Sequence, residues 1–350
     1  MVFGRGLVRH FLVFVAAIVF SGGVTFAAAD KRAVDLRTHP TGGTTPVEVS
    51  IGLYLTNLAS IDETRETFEV AGYLFARWVD PRLKMAEGDK AAIRSFKQEE
   101  LWTPPIEAAN SISHKMNAYT LQVDGNGVVN YVERFDGVLS GGYGLRQFPF
   151  DTQALRIDFQ PFLTQASEFR FADRALSSTG INLDNETELA AWRLKDLKYT
   201  TEALKSKAFG AGAQQAVFQL MVARRAGFYV WKIFLPLLIL TMIPAVVFWI
   251  DVKEFDWILK IPMTMLLSLV AFEFAIARDM PKIGYVTFLD AVFLASFAFF
   301  GICIFEIAMV FLMQKGGRRP QAMAIHAAGR WAYPLAYFCV VAGLGFYFLG

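Results

Sequence analysis

From Phe228 to Leu349 the chain reads as a series of long apolar runs, and no other feature restricts its fold so strongly. Phe228–Ile250 carries one lysine near its start. Its roughly 23 residues, at ~1.5 Å rise each, cross a hydrocarbon core of ~30 Å. Ile258–Ala277, Val286–Met313 and Trp331–Leu349 provide three further spans. "QKGGRRP" at 314–320 joins the last two, and its positive charge marks that side as cytoplasmic. With 54% hydrophobic residues, 19% charged and 33 phenylalanines, the chain is too apolar for an ordinary soluble enzyme. A net charge of +2 implies no nucleic-acid partner and no strongly acidic one.

The beginning of the chain has the layout of a secretory signal. "MVFGRGLVRH" is basic, "FLVFVAAIVF" is a short apolar core, and "SGGVTFAAAD" ends in an Ala27-x-Ala29 cleavage pattern. Residues 1–29 are therefore expected to be a signal peptide, with the exported chain starting near Asp30. From 30 to 225 apolar and polar residues alternate in "VEVSIGLYL", "FEVAGYLFARW", "GVVNYVERF", "ALRIDF", "EFRFA" and "AVFQLMVARR". Short strands at this spacing predict an all-β, immunoglobulin-like sandwich, and "DGNG" at 124–127 predicts a hairpin turn. Residues 226–350 then form an all-α four-helix transmembrane bundle. Four spans after an exported domain return the C-terminus to the outside, as in a multi-pass protein of the cell membrane.

Enzymatic signals are missing. No nucleophile–base pair, HExxH or CxxC pattern occurs, the four histidines are scattered, and no cluster has metal-ligand spacing. No cofactor or metal is expected. Cys303 and Cys339 both lie within apolar runs, which argues against a disulfide framework.

The second span differs from its neighbours. Asp256, Lys260, Thr264, Leu267, Ala271, Phe274 and Arg278 follow at intervals of 4, 4, 3, 4, 3 and 4, tracing one stripe of a helix. The stripe is charged or polar at both ends and apolar between. Ionisable residues within a membrane usually face a bundle interior or water. A ring of such helices would form a pore with a hydrophobic waist able to dewet. Polar helix–helix contact is the other reading of the stripe. Glu273 and Glu306 are further intramembrane acids with no assigned role, and Pro262 removes the helical partner of the Ile258 carbonyl.

Several segments, in order from about 47 to 313, resemble the pentameric ligand-gated ion channels, the Cys-loop receptor superfamily, in the prokaryotic form without the disulfide. They are "NLASIDETRETFEVAGYLFARWVDPRL", "LWTPPIEAAN", "FPFD", "ARRAGFYVWKIFLP" and "DMPKIGYVTFLD". The last span matches only in size and place. The family's loop-closing cysteines fall at Gly141 and Leu155 here, so that bridge is absent. Where the segment after Trp102 normally offers an aromatic to the ligand box, this chain has Ile106, Glu107 and Ala108.

The resemblance implies a gating interface at the base of the sandwich. Phe148 and Phe150 would be apolar prongs on the Met280–Ile283 linker, which includes Pro281 and Lys282, with Pro149 fixing the turn between them. An aromatic residue before proline is a setting in which cis peptides occur. Asp151 would need a partner near a low-dielectric interface, and Arg224 stands where the family keeps one. Asp62 would be a second acid at the same level. For the ligand, period two puts Tyr73, Phe75 and Arg77 on one strand face and Leu74 and Trp78 on the other; Trp78 resembles the family's core tryptophan, which implies that the first face is the one at a subunit interface. Phe162 falls where the family places a binding aromatic, "ALKSKAFGAGAQQA" at 203–216 resembles the capping loop with Phe209 its only aromatic, and Glu107 could add charge; each suits packing as well as ligand contact.

The expected protein is a subunit of a pentameric ligand-gated channel. Its partners would be four further copies of itself, the bilayer, a small-molecule or proton agonist, and permeating inorganic ions. The alternative is a non-conducting membrane receptor or assembly protein with the same fold.

Overall fold

A computed structural model describes residues 35–86, 93–162, 168–182, 191–204, 213–251, 255–278, 280 and 282–350. The strands are β1 (Val47–Asp62), β2 (Thr67–Val79), β3 (Arg94–Ser95), β4 (Ile106–Ala108), β5 (Ser111–Val123), β6 (Val128–Ser140), β7 (Thr152–Pro161), β8 (Phe169–Phe171), β9 (Gly180–Ile181), β10 (Trp192–Ala203) and β11 (Gln214–Arg224). They form two sheets. One runs β3-β5-β6-β2-β1-β8, with β9 also paired to β1; the other runs β10-β11-β7-β4. Pairing is antiparallel except where β8 and β9 join β1.

Alternation in the sequence explains the core. Val49, Ile51, Leu53 and Leu55 of β1, with Val70, Leu74 and Trp78 of β2, point inward against Leu155, Ile157, Phe218 and Leu220 of the second sheet. Two register shifts interrupt the β1–β2 pairing, between Leu55 and Asn57 and between Leu58 and Ser60. The 124–127 turn closes β5 onto β6: Asp124 Oδ1 accepts from the amides of Asn126 and Val128, and Gly127 has φ +79°. A Cβ at Gly127 would sit 2.6 Å from the Asp80 carbonyl, so both conformation and space require glycine.

Four helices among the described residues are long and apolar enough to cross a membrane: α1 (Gly227–Trp249), α2 (Phe255–Ala277), α3 (Phe288–Lys315) and α4 (Arg319–Leu349). α1 is not uniform. Val230–Phe234 is a π-helical turn, and Ile243–Trp249 tightens to 3₁₀ geometry. Pro236 and Pro244 account for both, since each lacks the N–H that an α-helix needs. α2 stays α-helical through Pro262, which is buried. α3 begins with a capping box: the Thr287 amide donates to Asp290 Oδ2 at 2.9 Å, and the Asp290 amide donates to Thr287 Oγ1 at 3.2 Å. α4 starts twelve residues before the apolar run at Trp331, so Arg319 and Pro320 open a helix rather than belong to a link.

Burial within the bundle is unequal. α3 is its axis, with eleven buried residues, whereas α2 buries only Ile258, Pro262 and Leu269. One apolar cluster, comprising Ile233, Leu237, Leu269, Phe288, Val292, Phe293 and Phe300, extends upward to Leu145 and Phe148 of the sandwich. A second fills the inner half around Val247, Phe248, Ile258, Cys303, Ile307, Tyr333 and Tyr337.

Candidate functional site

β11 delivers Arg224 to the base of the sandwich, where its side chain is 1% exposed. Its Nε donates to Asp151 Oδ1 at 2.7 Å and its Nη2 to Asp151 Oδ2 at 3.0 Å, a two-point fork on a carboxylate that is itself buried. Nη1 donates to Glu63 Oε1 at 2.7 Å. The guanidinium carbon lies 4.2 Å from the Trp192 ring centroid and 4.6 Å from that of Phe148. Burial alone would lower the pKa of Arg224, but the hydrogen bonds and charges of Asp151 and Glu63 outweigh it and hold it above the ordinary arginine value. Gln153 braces the site, donating its side-chain amide to Asp151 Oδ2 and to the Gly144 carbonyl.

The second acid is Glu63, not the expected Asp62. Asp62 Oδ1 instead accepts from the amides of Thr64 and Arg65, closing the β1–β2 turn. The two shifts in β1 change which side chains point inward, so simple alternation cannot choose between adjacent acids. Nearby, burial first, then Glu63, Asp62 and Glu66, push the Tyr143 phenol above its ordinary pKa; its hydroxyl donates to the Thr67 carbonyl at 2.9 Å.

The Phe148–Pro149 peptide is cis. Phe148 is fully buried, edge-on to Tyr229 with centroids 4.8 Å apart. Phe150 is 42% exposed and lies 6.1 Å from Phe234 and 5.9 Å from Phe288. The prongs thus find their ring partners on α1 and α3, while Met280 and Ile283 pack at the edge of the same cluster. Lys282 is exposed and lines a crevice of about 720 Å³ with Glu63, Glu66, Leu145 and Arg278. Pro281 lies outside the described residues. The 145–150 turn also reaches parts of the bundle that the sequence did not flag: the Leu145 amide donates to Tyr285 Oη at 3.0 Å, the Phe288 amide to the Arg146 carbonyl at 3.0 Å, and Arg146 Nη2 to Tyr347 Oη at 3.1 Å.

Asp256, Lys260, Thr264, Leu267, Ala271 and Phe274 share one face of α2 and are exposed in the single chain, as is Arg278 in the turn just past its end. The opposite side, through Ile258, Pro262, Leu269 and Ile276, packs on the other helices. Lys260 Nζ lies 5.4 Å from the Trp257 ring centroid, and among the described residues no ion pair joins it to Asp256.

The ligand candidates fall into two groups on different sheets. Tyr73 and Phe75 are half-buried neighbours on β2, centroids 6.5 Å apart, and exposed Arg77 donates from Nε to Asn130 Oδ1 at 2.9 Å. Glu107 sits on β4, accepting from Gln160 Nε2 at 2.8 Å, and Phe162 follows β7 with 50% exposure. Phe209 and the 1–29 segment lie outside the described residues.

A β-sandwich whose base is braced by a buried ion pair and packs through its 145–150 turn on membrane-length helices, one of them with an exposed stripe of polar and apolar residues, defines a multi-pass membrane protein. A family model for the neurotransmitter-gated ion-channel ligand binding domain matches residues 32–226. The chain is 24% identical over 310 residues to a proton-gated ion channel of Gloeobacter violaceus, covering 87% of this chain and 84% of that protein. It is 26% identical over 300 residues to glycine receptor subunit beta of Rattus norvegicus, covering 82% and 60%, and 23% identical over 286 residues to a gamma-aminobutyric acid receptor subunit beta of Caenorhabditis elegans, covering 79% and 51%. The chain therefore belongs to the pentameric ligand-gated ion channel family, Cys-loop receptors, in a form without the loop disulfide. Members of this family are channels rather than enzymes, and the N-terminal domain is exported from a multi-pass membrane protein.

Proposed function

We propose that this chain is one subunit of a homopentameric ion channel in which an agonist bound at the exported sandwich opens a pore lined by α2. The observation that carries the reading is the face of α2: seven consecutive stripe residues, from Asp256 to Arg278, are left uncovered by the chain's own fold. Lipid is a poor solvent for the charged members of that stripe, whereas five copies around an axis would turn it into a water-filled lumen. Leu267 and Phe274 would then form the hydrophobic waist.

The two groups of ligand candidates fit the same assembly. Tyr73, Phe75 and Arg77 of one copy would face Glu107, Phe162 and Phe209 of the next across a subunit interface. The Gloeobacter relative is named for proton gating, which keeps protons among the agonists to be tried beside small amines. Asp62, Phe148, Pro149, Phe150, Asp151, Arg224, Pro281 and Lys282, joined by Glu63 and Gln153, would carry motion from sandwich to pore. Stepwise, agonist-dependent currents from purified protein in a planar bilayer are the expected result. Their absence across pH and small amines would favour a non-conducting receptor of the same fold. Cysteines at 274 and 278 should react with reagents applied from outside; a cysteine at 276 reacting as fast would put the stripe on the wrong face.

A further inference from the structure

His326 of α4 is held among three acceptors at the inner end of the bundle, and it is 6% exposed. Its Nδ1 lies 3.0 Å from Glu306 Oε1 on α3. Its Nε2 lies 3.2 Å from the Val247 carbonyl and 3.3 Å from that of Ile250, where α1 ends. A carbonyl oxygen only accepts, so Nε2 must carry a hydrogen. With no hydrogen on the other side, a ring lone pair and a carboxylate lone pair would face each other at 3.0 Å. That arrangement is costly in a buried setting, and the second oxygen, Glu306 Oε2, is buried without a hydrogen-bond partner. The geometry therefore calls for two protons on the pair, one on Nε2 and one shared between Nδ1 and Oε1.

We propose that Glu306 and His326 form a proton-binding site that clasps the inner end of α1 to α3 and α4, and that the clasp loosens when the shared proton leaves. Among the described residues, the charged and titratable groups around the pair are few. Arg330, one turn along α4, is engaged with the Phe248 carbonyl at 2.9 Å and with the Trp249 ring. α3 adds Cys303, α4 adds Tyr333 and Tyr337, and Asp251 follows Ile250 at the surface. From α2, Phe255, Ile258 and Ile261 pack into the neighbouring apolar cluster. The helices are close enough for the clasp to matter: a Cβ at Gly329 would lie 2.6 Å from the Phe248 ring. Ile250 is five residues before the start of α2, which puts the clasp close in sequence to the first stripe residue, Asp256. Any effect on current rests on the channel reading above, while the proton site itself does not.

The sign follows from the proton count. The folded state holds the shared proton, so the stabilisation is present at lower pH and is lost as pH rises through its release. The test uses purified protein in detergent between about pH 7 and pH 9.5, above the ordinary histidine range. The apparent melting temperature of the wild type should fall across this window by about 3 °C or more beyond any fall in Glu306→Gln. The glutamine amide can donate to Nδ1 of a neutral ring, keeping the clasp without a titrating proton. ¹⁵N-histidine spectra, with His326 assigned through His326→Gln, should show its ring signals moving in the wild type and fixed in Glu306→Gln. Equal melting profiles, or His326 signals that move alike in both proteins, would overturn the proposal.

Discussion

The junction and the exposed face of α2 both hold opposite charges, yet the chain treats them differently. At the junction Arg224, Asp151 and Glu63 are withdrawn from water and matched donor to acceptor. On α2, Asp256 and Lys260 are one turn apart, about 6 Å along the same face, and remain exposed with no ion pair between them among the described residues. A buried charge must be matched within the fold, because removing one partner leaves the other stranded. An exposed one answers to whatever occupies the space outside. The junction is thus complete within one chain, while the stripe, on the channel reading, would be completed by further copies.

Removing one side of the buried pair should have the largest effect. Asp151→Ala is expected to cost about 3–5 kcal/mol, read as a lower melting midpoint or loss of assembled protein. Reversing both charges, Asp151→Arg with Arg224→Asp, should recover part of that loss; a double variant as damaged as the single ones would break the pairing. Next comes the choice between neighbouring acids. Glu63→Ala should cost about 1.5–3 kcal/mol, as for a hydrogen bond to a charged group, and Asp62→Asn should stay within about 0.5 kcal/mol because asparagine keeps an oxygen for the turn amides. Equal losses would erase the difference between the two acids.

The pore face should respond in function and barely in stability. Leu267→Ser is expected to shift stability by under about 0.5 kcal/mol while raising resting current or agonist sensitivity by wetting the waist. Unchanged current would place Leu267 away from the lumen. The smallest effect is on selectivity. With Lys260 leaning on Trp257 rather than on Asp256, five lysines would face permeating ions and admit anions, and Lys260→Gln should move the reversal potential in a salt gradient toward cations. No shift would mean that the lysine is turned from the path.

The contrast also explains what the sequence made legible. Spans and stripe could be read because each rests on a period, whereas the core tryptophan and the Asp151–Arg224 pair could be read because the segments around them resemble the family's. β5 and β10 gave no such signal: β5 buries only Leu121 and Val123 and β10 only Trp192, so neither alternates clearly. The first turns of α4 were hidden because Arg319 and Pro320 read as a loop, although proline suits a helix start. Glu63, Gln153 and Arg146 were missed for a different reason. Their partners lie on other elements, and a register shift or a turn decides which way each side chain points.

One consequence concerns leverage. β11 ends at Arg224 and α1 begins at Gly227, so only Arg225 and Ala226 separate strand from helix. The Arg224 amide is tied to the Asp151 carbonyl at 3.1 Å and the Arg225 amide to the Ala191 carbonyl at 2.8 Å, which leaves this joint little play. Eleven residues at ~3.3 Å each make β11 an arm of about 36 Å. One degree of tilt about Arg224 then sweeps the far tip through about 0.6 Å, a distance comparable to the slack in a single hydrogen bond. In a machine built this way the buried arginine would be a fulcrum, turning a sub-ångström displacement of the tip into a small rotation at the first turn of α1.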